Sequence, residues 1–244
     1  MTDQYDPKAY WETRLKDQFT ARGVGHIGFS DDYNRWLYRR KRRCIEGAFR
    51  GVSLAGKDVL DVGCGTGFFV EWYLARGAQI CGVDITDVSV QRLRDLFDGQ
   101  FKTESISSSP FDGFGKKFDV VNVWDVFYHI VDDKEYDAAL QNIKNCLKNG
   151  GLLLFTDFLG EISDVPIANH VKARNFQTYS TILKSKGFLF VENRPLYRFL
   201  NRPHFGKFDN YLGALYFFLD TFTRTVQKHN LSLSVWRYGD RNLS

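Results

Sequence analysis

The central part of the chain alternates between two hydrophobic periods. Short apolar runs closed by turn residues, KDVLDVG (57–63), QICGVDI (79–85) and KFDVVNVWDV (117–126), read as buried parallel strands. Between the first two, TGFFVEWYLARGA spaces its apolar residues as a helix does and stops at Gly77. DVSVQRLRDLF repeats the helical period, with Thr86 or Asp87 available as its N-cap. DDKEYDAALQNIKNCLKNGG predicts an amphipathic helix closed by Gly150 and Gly151, followed by a strand in LLLFTDF. FQTYSTILKSKG and FLFVENRPLY repeat the helix–strand unit, and LSLSVWRY (231–238) is a last candidate strand. Such alternation predicts an α/β fold with a doubly wound, mostly parallel sheet flanked by helices.

No internal repeat, low-complexity tract or Pro/Gly/Ser-rich linker divides the chain, so a single domain is expected over 1–244. Its core is 57–197. An N-terminal helical segment (1–50) precedes it, a helical insertion (198–230) follows, and 231–244 supplies the last strand and a tail. DPKAYWETRLKDQF and SDDYNRWLYRRKRRCIEGAF predict two helices, the second capped by Ser30 or Asp31. Gly23, Gly25 and Gly28 suggest a flexible connection between them.

The stretch VLDVGCGTGFF (59–69) concentrates three glycines at the end of the first strand, where open α/β sheets bind ligands. A phosphate-gripping P-loop needs Lys and Ser or Thr after its last glycine, and Phe68 and Phe69 stand there. A dinucleotide fingerprint needs G-x-G-x-x-G, and here the third glycine falls one place early, at Gly67. A phosphate-free nucleoside ligand remains. Asp84, at the end of the second strand, suits a ribose diol because a carboxylate accepts from both hydroxyls.

Composition narrows the partners. A net charge of +4 is too small to point to nucleic acid, and no apolar run reaches the 18 or so residues of a spanning helix. The polar N-terminus does not look like a secretory signal, and the four cysteines form no CxxC pair, so buried free thiols and a cytoplasmic location are expected. With 22 Phe against one Met, rings are expected to build any pocket. The run RRKRR (39–43) reads as a solvated helix face, since a helix spreads consecutive residues around its circumference. Arg35 or Arg39 could still meet an anionic substrate. The apolar stretch 211–226 reads as a core or lid helix, with a dimer surface or a peripheral contact to a lipid-linked acceptor as alternatives.

VLDVGCGTG resembles the first motif of the class I S-adenosylmethionine-dependent methyltransferases. GVDIT, FDVVNVWDVFYHIVDD and CLKNGGLLLFTDF resemble that family's second-strand, fourth-strand and fifth-strand motifs in the same order. The resemblance covers about 57–160 and implies a seven-stranded Rossmann-like sheet with S-adenosylmethionine as cofactor. Gly63, Gly65 and Gly67 would let the backbone lie against the methionine and ribose. Asp61 would anchor that loop and the cofactor's amino group, Asp84 would take the ribose hydroxyls, and Ile85 would pack on adenine. In TESISSSP, Glu104, Ser105 and Ser107 compete for the adenine amino group; Ser105 is taken. Trp124 and Asp125 should line the cofactor or substrate side.

The sulfonium cofactor carries an already activated methyl, so the protein chiefly aligns and, for a hydroxyl or ammonium acceptor, removes a proton. His129, four residues past Asp125, is the candidate base, with His170, His204 and His26 as alternatives. In small-molecule members such N-terminal helices form a lid, which nominates Tyr10, Trp11, Tyr33 and Trp36 for the substrate side. Tyr128, and His204 within the insertion, are further candidates. NVWDVF lacks the paired prolines of nucleic-acid amino methyltransferases. The expected activity is therefore methyl transfer to a hydroxyl of a sugar, glycan precursor or other small metabolite by a monomer or homodimer. Transfer to a nitrogen, or a non-catalytic protein binding the cofactor, are the alternatives. No metal is expected, since the acidic pair Asp132 and Asp133 near His129 is ordinary for a helix start.

Overall fold

The fold is taken from a computed structural model, which describes residues 5–160, 166–168, 170–227 and 230–239. Residues 1–4, and the tail 240–244 expected after the last strand, lie outside the described residues.

The N-terminal segment forms α1 (Pro7–Asp17), the short α2 (Ala21–Val24) and α3 (Asp31–Ala48). Asp6 caps α1 by accepting from Ala9 N, with Pro7 at the first helical position, where its missing N–H costs nothing. Ser30 caps α3 by accepting from Tyr33 N. The alternating core follows: β1 (Asp58–Val62), α4 (Phe68–Leu74), β2 (Gln79–Asp84), α5 (Asp87–Leu96), β3 (Gln100–Thr103), β4 (Phe118–Val123), α6 (Asp133–Cys146) and β5 (Leu147–Asp157). A small ribbon of β6 (Pro166–Ala168) and β7 (Val171–Lys172) leads to α7 (Phe176–Ser185) and β8 (Phe188–Pro195). The insertion contributes α8 (Asp209–Asp220), and the described chain closes with β9 (Ser232–Tyr238).

Seven strands make one sheet in the order β3-β2-β1-β4-β5-β9-β8. Every pairing from β3 to β5 is parallel, and β9 runs antiparallel between β5 and β8. The order reverses between β1 and β4, which opens a crevice at the carboxyl ends of these strands. Both faces of the sheet are covered, so β1 is apolar in consecutive positions and not in alternate ones. Val59 packs with α3, α4 and α5 on one face, and Leu60 with α6 and α7 on the other.

Two elements differ from their sequence patterns. The sixth helix stops at Cys146, before the Gly150–Gly151 pair, because Leu147 is already extended and pairs with Phe118 of β4. β3 reads QFKT with one buried residue, too polar at its ends to show as a strand by periodicity. The run 39–43 is also not wholly solvated: Arg40 and Lys41 are buried, and Arg40 donates to the carbonyls of Pro195 and Leu196.

Candidate functional site

At the crevice lies a cavity of about 190 Å³ between the N-terminal helices and the ends of β1, β2, β3 and β4. Its floor is the loop after β1. Gly63 has φ +70° and Gly65 φ +50°, in the left-handed region that L side chains rarely adopt. A Cβ at Gly63 would stand 2.4 Å from Val126 Cγ2. The loop is stitched to β2 by Gly63 N donating to the Val83 carbonyl at 2.8 Å, and Gly67 begins α4.

Asp84 ends β2 with its carboxylate turned onto this loop. It accepts from Gly65 N at 2.9 Å and from Thr86 N and Oγ1 at 2.9 and 2.7 Å. Burial raises its pKa above the usual carboxylate value, against the lowering effect of these donors. Three acceptor positions of about four are in use, so one remains for a ligand hydroxyl. Ile85 and Ser105 line the cavity, as do Glu104 and Ser107. Ser105 and Ser107 bond each other at 2.8 Å, whereas Glu104 accepts from Asp112 N through Oε1 and leaves Oε2 buried without a partner among the described residues. The orphan oxygen makes Glu104 the stronger candidate of the three for an exocyclic amino group, ahead of the Ser105 chosen from sequence.

Asp61 sits behind the loop and is not on the cavity wall. It is buried and accepts from Asn122 Nδ2 at 2.7 Å, and Asn122 Oδ1 in turn accepts from Trp124 Nε1 at 2.7 Å and Tyr73 OH at 3.3 Å. Burial is the main reason its carboxyl is pushed up to about 7; the Asp84 charge adds to this and Asn122 opposes it. Trp124 lines the cavity and stacks on Phe69, with ring centroids 4.4 Å apart.

Asp125 follows β4 with φ +58°, its backbone N donating to Thr156 Oγ1 and its Oδ1 accepting from the same hydroxyl, both at 2.9 Å. Its other oxygen pairs with Lys41 Nζ, which lies 4.2 Å from the centre of the Tyr38 ring. Lys41 is only 4% exposed. Burial would drive both groups toward neutrality, but their mutual attraction wins: Asp125 is held below, and Lys41 above, its ordinary pKa. The pair forms part of the cavity wall.

His129, on a single 3₁₀ turn after this loop, also lines the cavity. Its Nδ1 lies 3.0 Å from the His170 carbonyl, an acceptor only, so Nδ1 carries the proton and Nε2 keeps its lone pair. Burial lowers its pKa below 6.5, which keeps the ring neutral at pH 7. Trp11 meets it edge-on, with centroids 5.3 Å apart.

The N-terminal segment covers the site from above. Pro7, Trp11 and Leu15, four residues apart on α1, present one helical stripe to the cavity, and Val24 of α2 lies over Gly65. Glu12 Oε2 accepts from Asp87 N at 2.8 Å, capping α5, whose own N-cap Thr86 makes no side-chain capping bond. Lys8 pairs with Asp87 at 3.0 Å.

Not every residue nominated for the substrate side reaches the cavity. Tyr10 stands beside Trp11, 39% exposed, and does not line the cavity. Tyr33 is buried against Phe29 and meets Tyr216 edge-on, and Trp36 packs on Gly213 and Phe217, so both join α3 to α8. The face of α3 that reaches the cavity carries Tyr38 and Lys41 instead. Tyr128 packs on Phe158 behind His129, and His204 bonds the Phe199 carbonyl within the insertion; neither lines the cavity. All four cysteines are free and buried. Among the described residues no group of three or more His, Cys, Asp or Glu is placed to hold a metal ion, and no helix is long and apolar enough to cross a membrane.

A family model described as a methyltransferase domain matches residues 33–238. Among curated proteins, a ubiquinone biosynthesis O-methyltransferase of Idiomarina loihiensis is 38% identical over 108 residues, 43% of this chain and 43% of that protein. The match thus spans less than half of that relative's length. Among solved structures, magnesium protoporphyrin IX methyltransferase from Synechocystis, with bound S-adenosylmethionine, aligns with a TM-score of 0.63 at 15% identity, covering 98% of this chain and 100% of that one. The N-methyltransferase NodS from Bradyrhizobium japonicum, in complex with S-adenosylhomocysteine, gives 0.59 at 16% identity over 94% and 99%. At such identities the likeness is one of fold.

Proposed function

Since the chain belongs to the methyltransferase family, we propose that it transfers the methyl group of S-adenosylmethionine to a hydroxyl of a small metabolite. Three features of the cavity fit this cofactor. The Gly63 backbone lies where a side chain would collide with Val126. Asp84 keeps one acceptor position for a ribose hydroxyl. The buried, unpartnered Glu104 Oε2 offers an acceptor to the adenine amino group. Bound there, the cofactor supplies an already activated methyl, and the remaining work is alignment and proton removal.

The observation that carries the hydroxyl acceptor is His129: neutral, on the cavity wall, with its tautomer fixed so that Nε2 accepts. A positioned base of this kind contributes roughly 10²–10⁴-fold. The Lys41–Asp125 pair and Thr156 pin the start of the loop that carries His129. The curated relative is named an O-methyltransferase, which supports the same reading. Trp11, Tyr38, Phe68 and Trp124 give the cavity ring-bearing walls on which a phenol or a sugar face stacks.

Two measurements test this together. Calorimetry should show S-adenosylmethionine binding to the wild type and at least tenfold weaker binding to Asp84→Asn, because a hydrogen bond to a charged group contributes about 1.5–3 kcal/mol. A panel of phenols, sugars and amines is then assayed for S-adenosylhomocysteine release. Turnover confined to amines would replace the hydroxyl reading; cofactor binding indifferent to Asp84→Asn would remove the assigned ribose contact.

A further inference from the structure

The insertion carries a surface that the methyl-transfer chemistry does not use. Phe208, Tyr211, Leu215, Phe218 and Phe222 recur at spacings of three and four along α8 and its flanks, so they share one narrow stripe. None is covered: Phe208 is 72% and Tyr211 85% exposed, and the other three are also exposed. The opposite face of the helix, with Gly213, Tyr216 and Phe217, is the one packed on α3.

Within the segment the charges are sorted; on α3, the helix packed against α8, exposed Asp31 and Asp32 accompany exposed Arg35 and Arg39. Between residues 198 and 227 the cations are Arg198, Arg202, Lys207 and Arg224; Arg202 is half-buried and the other three are exposed. The two acidic residues of the segment, Asp209 and Asp220, are fully buried. Asp209 accepts from Tyr216 OH and from the backbone N–H groups of His204 and Phe205. Asp220 accepts from those of Arg198, Phe199 and Leu200. What reaches solvent is an aromatic stripe with a cationic margin and no carboxylate from this segment.

We propose that α8 and its flanks dock onto an anionic lipid bilayer, lying in the interface with the aromatic stripe among the acyl chains and the cations at the headgroups. A helix with rings on one side and Lys or Arg around it has the composition of an interfacial anchor. Since no described helix is long enough to span, the helix lies on the membrane and does not cross it. A second copy of this chain fits less well, because a two-fold contact through the stripe brings Arg202 and Lys207 of one copy toward the cations of the other. The surface is independent of the proposed acceptor chemistry, and its test needs no substrate.

The test is flotation of the full chain with phosphatidylcholine vesicles and with phosphatidylcholine vesicles containing phosphatidylglycerol. The wild type should float with the anionic vesicles and be released as salt rises, because exposed charges are screened within about 8–10 Å. Tyr211→Asp/Phe218→Asp should bind at least tenfold more weakly. Lys207→Glu/Arg224→Glu should also lose binding, by roughly fivefold or more per charge removed. These positions are exposed, so unchanged circular dichroism and unchanged cofactor binding are expected in both variants. Wild type that floats with neither vesicle, or aromatic variants that float as well as wild type, would overturn the proposal. Concentration-dependent dimers by light scattering, dissolved by Tyr211→Asp/Phe218→Asp without any vesicle binding, would assign the stripe to a second copy instead.

Discussion

Asp61→Asn is expected to make the protein more stable, and increasingly so as pH rises. The Asp61 carboxyl is buried on the α4 side of β1 with one hydrogen-bond donor, Asn122, and its pKa stands at about 7 against an ordinary 3.8. Between about pH 4 and about pH 7 the unfolded chain releases this proton while the folded one keeps it. The folded state therefore binds more protons, and stability falls as pH rises through that window. At 1.36 kcal/mol per pH unit, the move from 3.8 to about 7 corresponds to about 4 kcal/mol lost by neutral pH. Asparagine has nearly the same shape, can still accept from Asn122 through Oδ1, and cannot ionise. The assay is urea unfolding of both proteins at several pH values. Carboxylates held low by lysine or arginine, such as Asp58 and Asp133, lose their contribution only below about pH 4, and they cancel in the difference between the two proteins. Asp157, pushed up to about 7 by burial, also cancels, although it tilts both curves in the same direction as Asp61. The stability gap should widen by a few kcal/mol between about pH 4 and pH 7. A constant gap would mean that Asp61 ionises at its ordinary pKa, and the reasoning from burial would fail.

Two further outcomes follow from the cavity wall. Lys41→Met leaves the largely buried Asp125 carboxylate with Thr156 as its remaining side-chain partner and should cost up to about 3 kcal/mol of stability by urea unfolding; Lys41→Met combined with Asp125→Asn should recover much of it. If His129 is the base, the acid limb of kcat/KM should fall below pH 6.5, because burial lowers its pKa. His129→Gln should abolish that limb and reduce kcat at least about a hundredfold; an unchanged limb in the variant would give the role to another group.

What the sequence revealed tracks how local each signal is. Apart from β3, the strands of the core, the helices between them and the glycine loop declare themselves through periodicity or backbone chemistry within a dozen residues. Asp84 is legible because a carboxylate closing a buried strand has few purposes. Lys41 was hidden by its neighbours: within RRKRR it looked solvated. Yet it lies four residues after Leu37 and four before Ile45, on the apolar stripe of α3, and that spacing marks it as inward-facing. Asn122 left a comparable trace, one amide inside the apolar run VVNVW. Glu12 left none, since nothing local says that its carboxylate caps a helix seventy-five residues away. Tyr33 and Trp36 misled because ring content is the same for a lid and for a helix–helix seam; only α8, distant in sequence, decides which face meets the cavity.

The cap that Glu12 places on α5 also sets how the site is reached. Among the described residues α1 buries only Leu15 fully, and the cover over the cavity is tied down as well by that carboxylate, the Lys8–Asp87 pair, Arg14 donating to the carbonyls of Arg22 and Gly25, and edge contacts such as Trp11 on His129. Lifting α1 strips an acceptor from Asp87 N–H and Val88 N–H at the positive end of α5, a loss of about 1 kcal/mol by the measure of other helix caps. The burial of Leu15 and the Trp11–His129 contact add to that cap. The tie at position 12 thus joins cover and crevice: the same carboxylate caps α5 and, by its charge, raises the pKa of Asp84 at the cavity floor.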